Sequence, residues 1–150
     1  KTAENALRIK CDSRSLPLEV LKTQPYPGFP TDMQSQLMTV LSLADGKSTI
    51  IETIFESRFQ NAYELQKMGA NITIEEKEKK AIITGVRELY GASVKAHDLR
   101  AGAALVIAGI AAQGTTIVKE ADTIERGYED ICRDLKSLGA DVSFCSENII

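Results

Sequence analysis

The chain has 150 residues, 43% hydrophobic and 26% charged, which suits one ordinary domain with its own core and excludes a disordered chain. A net charge of −3 and a pI near 5.3 argue against a nucleic-acid partner, because phosphate-backbone binding takes a clustered surplus of Lys and Arg. The longest charge-free run, Ala101 to Val118, is broken by Gly102, Gly109, Gln113 and Gly114, so it reads as a buried helix and a strand, and no membrane partner is expected.

The first residue is Lys1 and no leader is recognisable, so a piece of a longer product is expected. Cys11, Cys132 and Cys145 show no CxxC spacing, which fits a reducing, cytoplasmic setting without a disulfide framework.

In chain order, Ala6 to Lys10 and Leu18 to Thr23 have the apolar alternation of strands. Gln24-Pro25-Tyr26-Pro27-Gly28-Phe29-Pro30 then forms a proline-set loop. Thr31 or Asp32 can cap a helix over Met33 to Ala44, stopped by Gly46. Ser48 to Thr53 is β-branched and reads as a strand, and Phe59 to Met68 as an amphipathic helix ending at Gly69. Asn71 to Glu75, Ala81 to Thr84 and Ala92 to Lys95 read as short strands, the first two separated by the charged turn Glu76 to Lys80.

A helix over Arg100 to Ala112 carries no charge after its first residue. A helix apolar all round belongs in an interior, which points to helices lying inside. Thr115 to Lys119 is a strand, Tyr128 to Leu138 an amphipathic helix ending at Gly139, and Asp141 to Phe144 the start of a closing strand.

The second stretch repeats the first. Gly46, Ser48, Ile50 and Arg58 match Gly114, Thr116, Val118 and Arg126 at one separation of 68 residues, and Asp32 matches Arg100 at the same separation. A two-residue gap then brings Gly69-Ala70-Asn71-Ile72 onto Gly139-Ala140-Asp141-Val142. Repetition at such a period means one supersecondary unit used twice around a shared core. The expected organisation is α/β (α+β), with βαβαββ units at roughly 18–84 and 92–150.

The charged residues at loop and helix-start positions are Asp32, Arg58, Asp98, Arg100 and Arg126. A guanidinium binds two oxygens of a carboxylate or phosphate at once and stays charged, so three of them could surround a small polyanion. Each also has a plainer reading. Arg58 could pair with Glu56 or Glu52, and Arg126 with Glu125 or Glu129, as surface ion pairs; Asp32 and Asp98 could simply cap helices. His97, the sole histidine, reads as a hydrogen-bonded junction residue, not an acid/base group. One histidine and three scattered cysteines offer no metal-ligand cluster, and no phosphate-binding glycine loop is present.

The strings Tyr26-Pro27-Gly28-Phe29-Pro30-Thr31-Asp32-Met33-Gln34, Glu52-Thr53-Ile54-Phe55-Glu56-Ser57-Arg58-Phe59, Asp98-Leu99-Arg100-Ala101 and Glu125-Arg126-Gly127-Tyr128-Glu129, in this order, resemble the C-terminal part of the UDP-N-acetylglucosamine enolpyruvyl transferases. The resemblance implies part of an inside-out α/β barrel. It implies transfer of the enolpyruvyl group of phosphoenolpyruvate to the sugar 3'-hydroxyl of UDP-N-acetylglucosamine, with release of phosphate, as the first committed step of peptidoglycan synthesis. No cofactor or metal is implied.

By motif, Arg58 and Arg100 match arginines on the substrate carboxylate, and Arg126 matches one on the phosphate. Asp32 matches the carboxylate that takes the sugar hydroxyl proton, Ile54 a backbone contact to the amino-sugar, and Asp98 a site acid whose part in proton traffic is open. The family's proton-donating cysteine lies in a Pro-Gly-Cys loop of its other domain, which this sequence lacks, so Cys11, Cys132 and Cys145 do not inherit its role. The partner implied is the N-terminal half of the same protein, and the chain alone is expected to be inactive.

Two other readings compete. One is the sister synthase acting on shikimate 3-phosphate, whose motif runs Asp-His-Arg where this chain has Asp98-Leu99-Arg100. The other is a non-catalytic anion-binding module, for which Asp32 would be superfluous.

Overall fold

The computed structural model describes residues 10 and 13–145; the strand expected at Ala6 to Lys10, save its last residue, and the thiol of Cys11 lie outside the described residues. The elements, in order, are β1 (Leu21–Lys22), a 3-10 turn (Thr31–Met33), α1 (Gln34–Ser42), β2 (Lys47–Ile51), α2 (Gln60–Lys67), β3 (Asn71–Glu75), a second 3-10 turn (Glu76–Glu78), β4 (Lys80–Thr84), β5 (Ser93–Lys95), α3 (Leu99–Ala111), β6 (Ile117–Lys119), α4 (Asp122–Glu125) and α5 (Ile131–Ser137). This is a mixed α/β arrangement, as the alternating periodicities require.

The first sheet has the order β1-β2-β4-β3, with β1 parallel to β2 and the other neighbours antiparallel. Its register puts Ile50, Ala81 and Ile74 in one row and Ser48, Ile83 and Ile72 in the next. Side chains alternate across a strand, and these rows form the face buried against the helices. α1 meets β2 and β4 on one side and α3 on the other, while α2 bridges β3 and β5 to α3. The main core joins Met38, Leu41, Ile50, Leu65, Met68, Ile83, Leu89 and Leu105. A smaller cluster of Ala103, Ile124, Ile131 and Cys132 packs α3 against α4 and α5. The second sheet is the parallel pair β5 and β6.

Several expectations are corrected. Asp32 does not cap α1: the residue at its N-cap is Met33, with no side-chain cap bond, because a 3-10 turn intervenes and the Asp32 carboxylate is held by arginines. The expected helix over Tyr128 to Leu138 is shortened to Ile131–Ser137, since Asp130 caps it by accepting from the Arg133 amide at 2.7 Å; the short α4 before it was not anticipated.

α3 is not enclosed all round: Ala101 to Leu105 and Ala108 are buried, but Ile107 and Ile110 are exposed, being on the side away from α1 and α2. Asp141 to Phe144 forms no strand, because no neighbouring strand among the described residues supplies its ladder. Gly46, Gly114, Gly69 and Gly139 all adopt positive φ, the conformation that glycine alone enters without steric cost after a helix or at a tight turn. Among the described residues, no helix is long and apolar enough to cross a membrane.

Candidate active site

Four segments converge on one cleft. The proline loop turns back on itself, with Gln24 N donating to Phe29 O at 2.9 Å and Gly28 N to Pro25 O at 2.8 Å, and delivers Asp32 on the following 3-10 turn. The loop after β2 delivers Arg58 just beyond Ser57, whose φ of 54° is left-handed. That conformation costs a β-carbon-bearing residue about 1–2 kcal/mol and such strain concentrates at functional loops. The start of α3 delivers Arg100, and the end of α4 delivers Arg126.

Asp32 stands between two arginines. Arg58 Nη2 donates to Asp32 Oδ1 at 3.3 Å and Arg100 Nη2 to Asp32 Oδ2 at 3.2 Å. The Asp32 side chain is 56% exposed and the bonds are long, so solvent screens them and they are cheap to exchange. Arg58 is better fixed: its guanidinium carbon lies 5.0 Å from the Phe55 ring centroid, a cation–π distance, although its Nε is buried without an acceptor among the described residues.

Asp98 does cap α3, its Oδ1 accepting from the amides of Arg100 and Ala101, both at 2.8 Å. Capping orients the first turn and with it Arg100.

Arg126 reaches the same cleft through close backbone packing. A β-carbon on Gly102 would lie 2.7 Å from Ile124 Cγ1 and 2.9 Å from Ala96 Cβ. Only a hydrogen there lets α4 approach α3 this closely. The Arg126 side chain is exposed, and among the described residues no hydrogen bond or ion pair engages its guanidinium. Its expected ion-pair partner Glu129 is taken by Arg133 at 3.6 Å.

The cleft so formed has a volume of about 320 Å³ and is lined by Asp32, Arg58, His97, Asp98, Leu99, Arg100, Thr123 and Arg126. Its three guanidinium groups outnumber its two carboxylates, of which Asp98 is already committed to backbone amides. The arrangement suits a small anion with several oxygens. The structure therefore brings together Asp32, Arg58, Asp98, Arg100 and Arg126. Ile54 does not line the cleft; it sits exposed at the start of the Arg58 loop, its amide donating to Glu52 Oε1 at 2.8 Å.

The plainer partners proposed for Arg58 are engaged elsewhere. Glu56 pairs with Lys79 at 3.5 Å. Glu52 is buried and accepts from Thr23 Oγ1, Thr31 Oγ1 and the amides of Ile54 and Phe55.

His97 is the junction residue expected, with its Nε2 3.2 Å from Glu64 Oε1. Glu64 also accepts from Lys67 Nζ at 2.7 Å and from the Lys95 amide at 3.0 Å. Burial opposes its ionisation, but the bonds from Lys67, His97 and the Lys95 amide, with the Lys67 charge, outweigh it and hold the carboxyl below the usual range. Glu64 and Thr123 were not picked out in the sequence, where nothing sets them apart from the other polar residues of their segments. Cys132 is buried and its thiol is pushed up by desolvation and then by Asp130. Among the described residues, no cluster of His, Cys, Asp or Glu could hold a metal ion.

The family model described as EPSP synthase (3-phosphoshikimate 1-carboxyvinyltransferase) matches residues 2–135. A UDP-N-acetylglucosamine 1-carboxyvinyltransferase 2 of Caldanaerobacter subterraneus subsp. tengcongensis is 49% identical over 142 residues, which is 95% of this chain and 34% of that protein. A UDP-N-acetylglucosamine 1-carboxyvinyltransferase of Anaeromyxobacter sp. is 53% identical over 137 residues, 91% of this chain and 32% of that protein. Among solved structures, the enolpyruvyl transferase NikO from Streptomyces tendae superposes with a TM-score of 0.78 at 30% identity, covering 86% of this chain and 29% of that one. The chain thus spans about a third of the length of these two relatives.

Proposed function

Since this chain belongs to the EPSP synthase (3-phosphoshikimate 1-carboxyvinyltransferase) family, we propose that it forms one wall of the active cleft of an enolpyruvyl transferase whose acceptor is UDP-N-acetylglucosamine. The choice of acceptor is supported by the names of the relatives at about half identity. As to architecture, the chain supplies one βαβαββ unit, roughly 18–84, and a second, roughly 92–150, whose described part lacks the closing strand pair, both of one inside-out barrel with its helices inside. The packing of α3 against both α1 and α2 is in keeping with that.

The observation that carries the reading is the Asp32 carboxylate held by Arg58 and Arg100 at a cleft that Arg126 also enters. Asp32 occupies the place that a ligand carboxylate would take between Arg58 and Arg100. When phosphoenolpyruvate enters, its carboxylate takes over Arg58 and Arg100, and its phosphate meets Arg126. Asp32 is released toward the sugar 3'-hydroxyl. The exchange costs little because the bonds it breaks are long and solvent-screened.

The 3'-hydroxyl oxygen then bonds to C2 of phosphoenolpyruvate while its proton passes to Asp32, which needs only hydrogen-bond reach for that task. The methylene carbon takes up a proton from a group outside this chain. Loss of a proton from the methyl carbon so formed re-forms the C2–C3 double bond and expels the phosphate with its bridging oxygen, which yields the enolpyruvyl ether and inorganic phosphate. The guanidinium groups neutralise substrate charge and fix its orientation, so the chemistry draws on no cofactor.

Asp98 acts through the α3 cap and so through the placement of Arg100. Ile54 contributes a backbone contact to the amino-sugar from the loop that Glu52 holds. The test is phosphate release by the full-length protein. Release from phosphoenolpyruvate should require UDP-N-acetylglucosamine; release with shikimate 3-phosphate in its place would sink the acceptor assignment.

A further inference from the structure

Glu52 is a buried carboxylate, 1% exposed, whose four hydrogen bonds all come from neutral groups. Oε1 accepts from Thr23 Oγ1 at 2.8 Å, Ile54 N at 2.8 Å and Phe55 N at 3.1 Å; Oε2 accepts from Thr31 Oγ1 at 2.9 Å. Thr23 in turn takes the Thr53 amide on the same hydroxyl at 2.9 Å.

Burying a carboxylate that forms no ion pair among the described residues is a poor way to gain stability. A fully satisfied buried polar network gains rigidity instead. Its position shows what is made rigid. Thr31 precedes Asp32, and Ile54 and Phe55 begin the loop that ends in Arg58, with the Phe55 ring under the Arg58 guanidinium. The direct Asp32 to Arg58 bond, at 3.3 Å and half-exposed, is too weak to set the spacing of those two groups. Glu52 sets it from beneath.

We infer that Glu52 is a positioning residue for the transfer step: through Thr31 it fixes the carboxylate that takes the acceptor proton, and through the Ile54 and Phe55 amides it fixes the loop carrying Ile54 and Arg58. The inference rests on the proposed transferase reading. Its mechanical content is that one carboxylate holds the base and the clamp in a common frame. A substitution at either end of the Glu52 to Thr31 bond therefore misplaces Asp32 without removing any group that touches substrate.

The experiment uses the full-length protein with Glu52→Gln, Thr31→Val, Thr31→Ser and the Glu52→Gln/Thr31→Val double variant. Glutamine keeps an oxygen for the Ile54 and Phe55 amides but replaces the acceptor facing Thr31 with a donor group or reverses the pair. Steady-state phosphate release should show kcat lowered about 10- to 100-fold in Glu52→Gln and Thr31→Val, the scale of a misplacement near 1 Å, with KM for phosphoenolpyruvate little changed. The double variant should lose no more than the worse single one, since both cut the same link. Thr31→Ser, which keeps the hydroxyl, should retain wild-type kcat.

A folded Glu52→Gln protein with wild-type kcat, or losses that multiply in the double variant, would overturn the inference. Crystal structures of wild type and Thr31→Val decide it independently of turnover. An Asp32 carboxylate displaced from Arg58 in the variant supports the positioning role even if the wild type transfers nothing to UDP-N-acetylglucosamine, which would defeat the acceptor reading alone. An unmoved Asp32 refutes the positioning role.

Discussion

The two halves of the chain begin from matching sequence signals and end in different states of completion. In residues 18–84, Lys47–Ile51 finds β1 on one edge and β4 on the other, and β4 carries β3. In residues 92–145, among the described residues, Ile117–Lys119 finds only β5 and Asp141 to Phe144 joins no ladder. Local propensity does not separate them, since Ile72 and Val142 sit after equivalent positive-φ glycines. What separates them is a partner: a strand persists where a neighbour takes up its backbone hydrogen bonds. The arginines at the two matching positions, 58 and 126, divide in the same way, although Arg100 of the second half also reaches Asp32. Asp32 and Arg58 of the first half are engaged with one another and framed by Glu52, whereas Arg126 of the second half is unengaged among the described residues.

That contrast can be broken or sharpened by experiment, most strongly at the arginines. In the full-length protein Arg58→Ala should lower kcat/KM for phosphoenolpyruvate about 10²- to 10³-fold, the scale of losing one preorganised charge-stabilising group, with kcat carrying much of the loss. Arg126→Ala, at the matching position of the open half, should act mainly by raising KM, about 10-fold. Identical kcat and KM effects at the two positions would erase the division between a framing half and a presenting half. Lysine should restore only part of either loss, because it lacks the planar fork.

A smaller effect is expected at Glu64, which ties α2 to Lys95 and His97 next to the cleft. Glu64→Ala should cost about 2–3 kcal/mol of stability through the donors it leaves unpaired. The carboxyl is held below its ordinary value of 4.5 in the folded state. Its ionisation therefore stabilises the fold above pH 4.5, and this contribution fades as pH falls through the depressed folded value. Urea unfolding at neutral pH and in mild acid should show the variant losing its deficit as acid is added; a deficit that stays constant with pH would contradict this.

Gly102→Ala should cost about 1–2 kcal/mol by overpacking against Ile124 and Ala96, and should raise KM for phosphoenolpyruvate more than it lowers kcat, since the α4 it displaces carries Arg126. A fall in kcat alone would place the effect elsewhere. The smallest effect concerns the thiols. A maleimide at neutral pH should label exposed Cys145 quickly and reach Cys132 only on unfolding, because Cys132 is buried and its thiol pushed up by desolvation. Equal labelling rates under native conditions would show that the small core around Ile131 opens freely.

Much of the fold was legible because its signals are local. Asn71–Glu75 was read to the residue, β2, β4 and β5 within two residues at either end, and α3 within one, from β-branching, charge turns and the glycines at 46, 69 and 85. Errors arose where tertiary contacts decide. The exposed side of α3, the missing ladder at Asp141 to Phe144 and the short α4 depend on what packs alongside, which periodicity does not encode. In the cleft, the arginines and Asp32 were legible as repeated or resembling positions, and their convergence required the structure. Glu52 was misread as a surface ion-pair partner because a carboxylate six residues before an arginine looks like one; its burial among Thr23, Thr31 and two amides follows from the pairing of β1 with β2.

The central claim is that Asp32 stands in for the substrate carboxylate between Arg58 and Arg100 until substrate arrives. It is tested most directly by calorimetric binding of phosphoenolpyruvate to full-length Asp32→Ala protein, with turnover measured in parallel. Removing the internal competitor should tighten binding severalfold, in line with about 0.5–1 kcal/mol for each exposed ion pair, while turnover with UDP-N-acetylglucosamine falls about 10²- to 10⁴-fold for want of the base. Phosphoenolpyruvate binding that weakens together with turnover would contradict the claim.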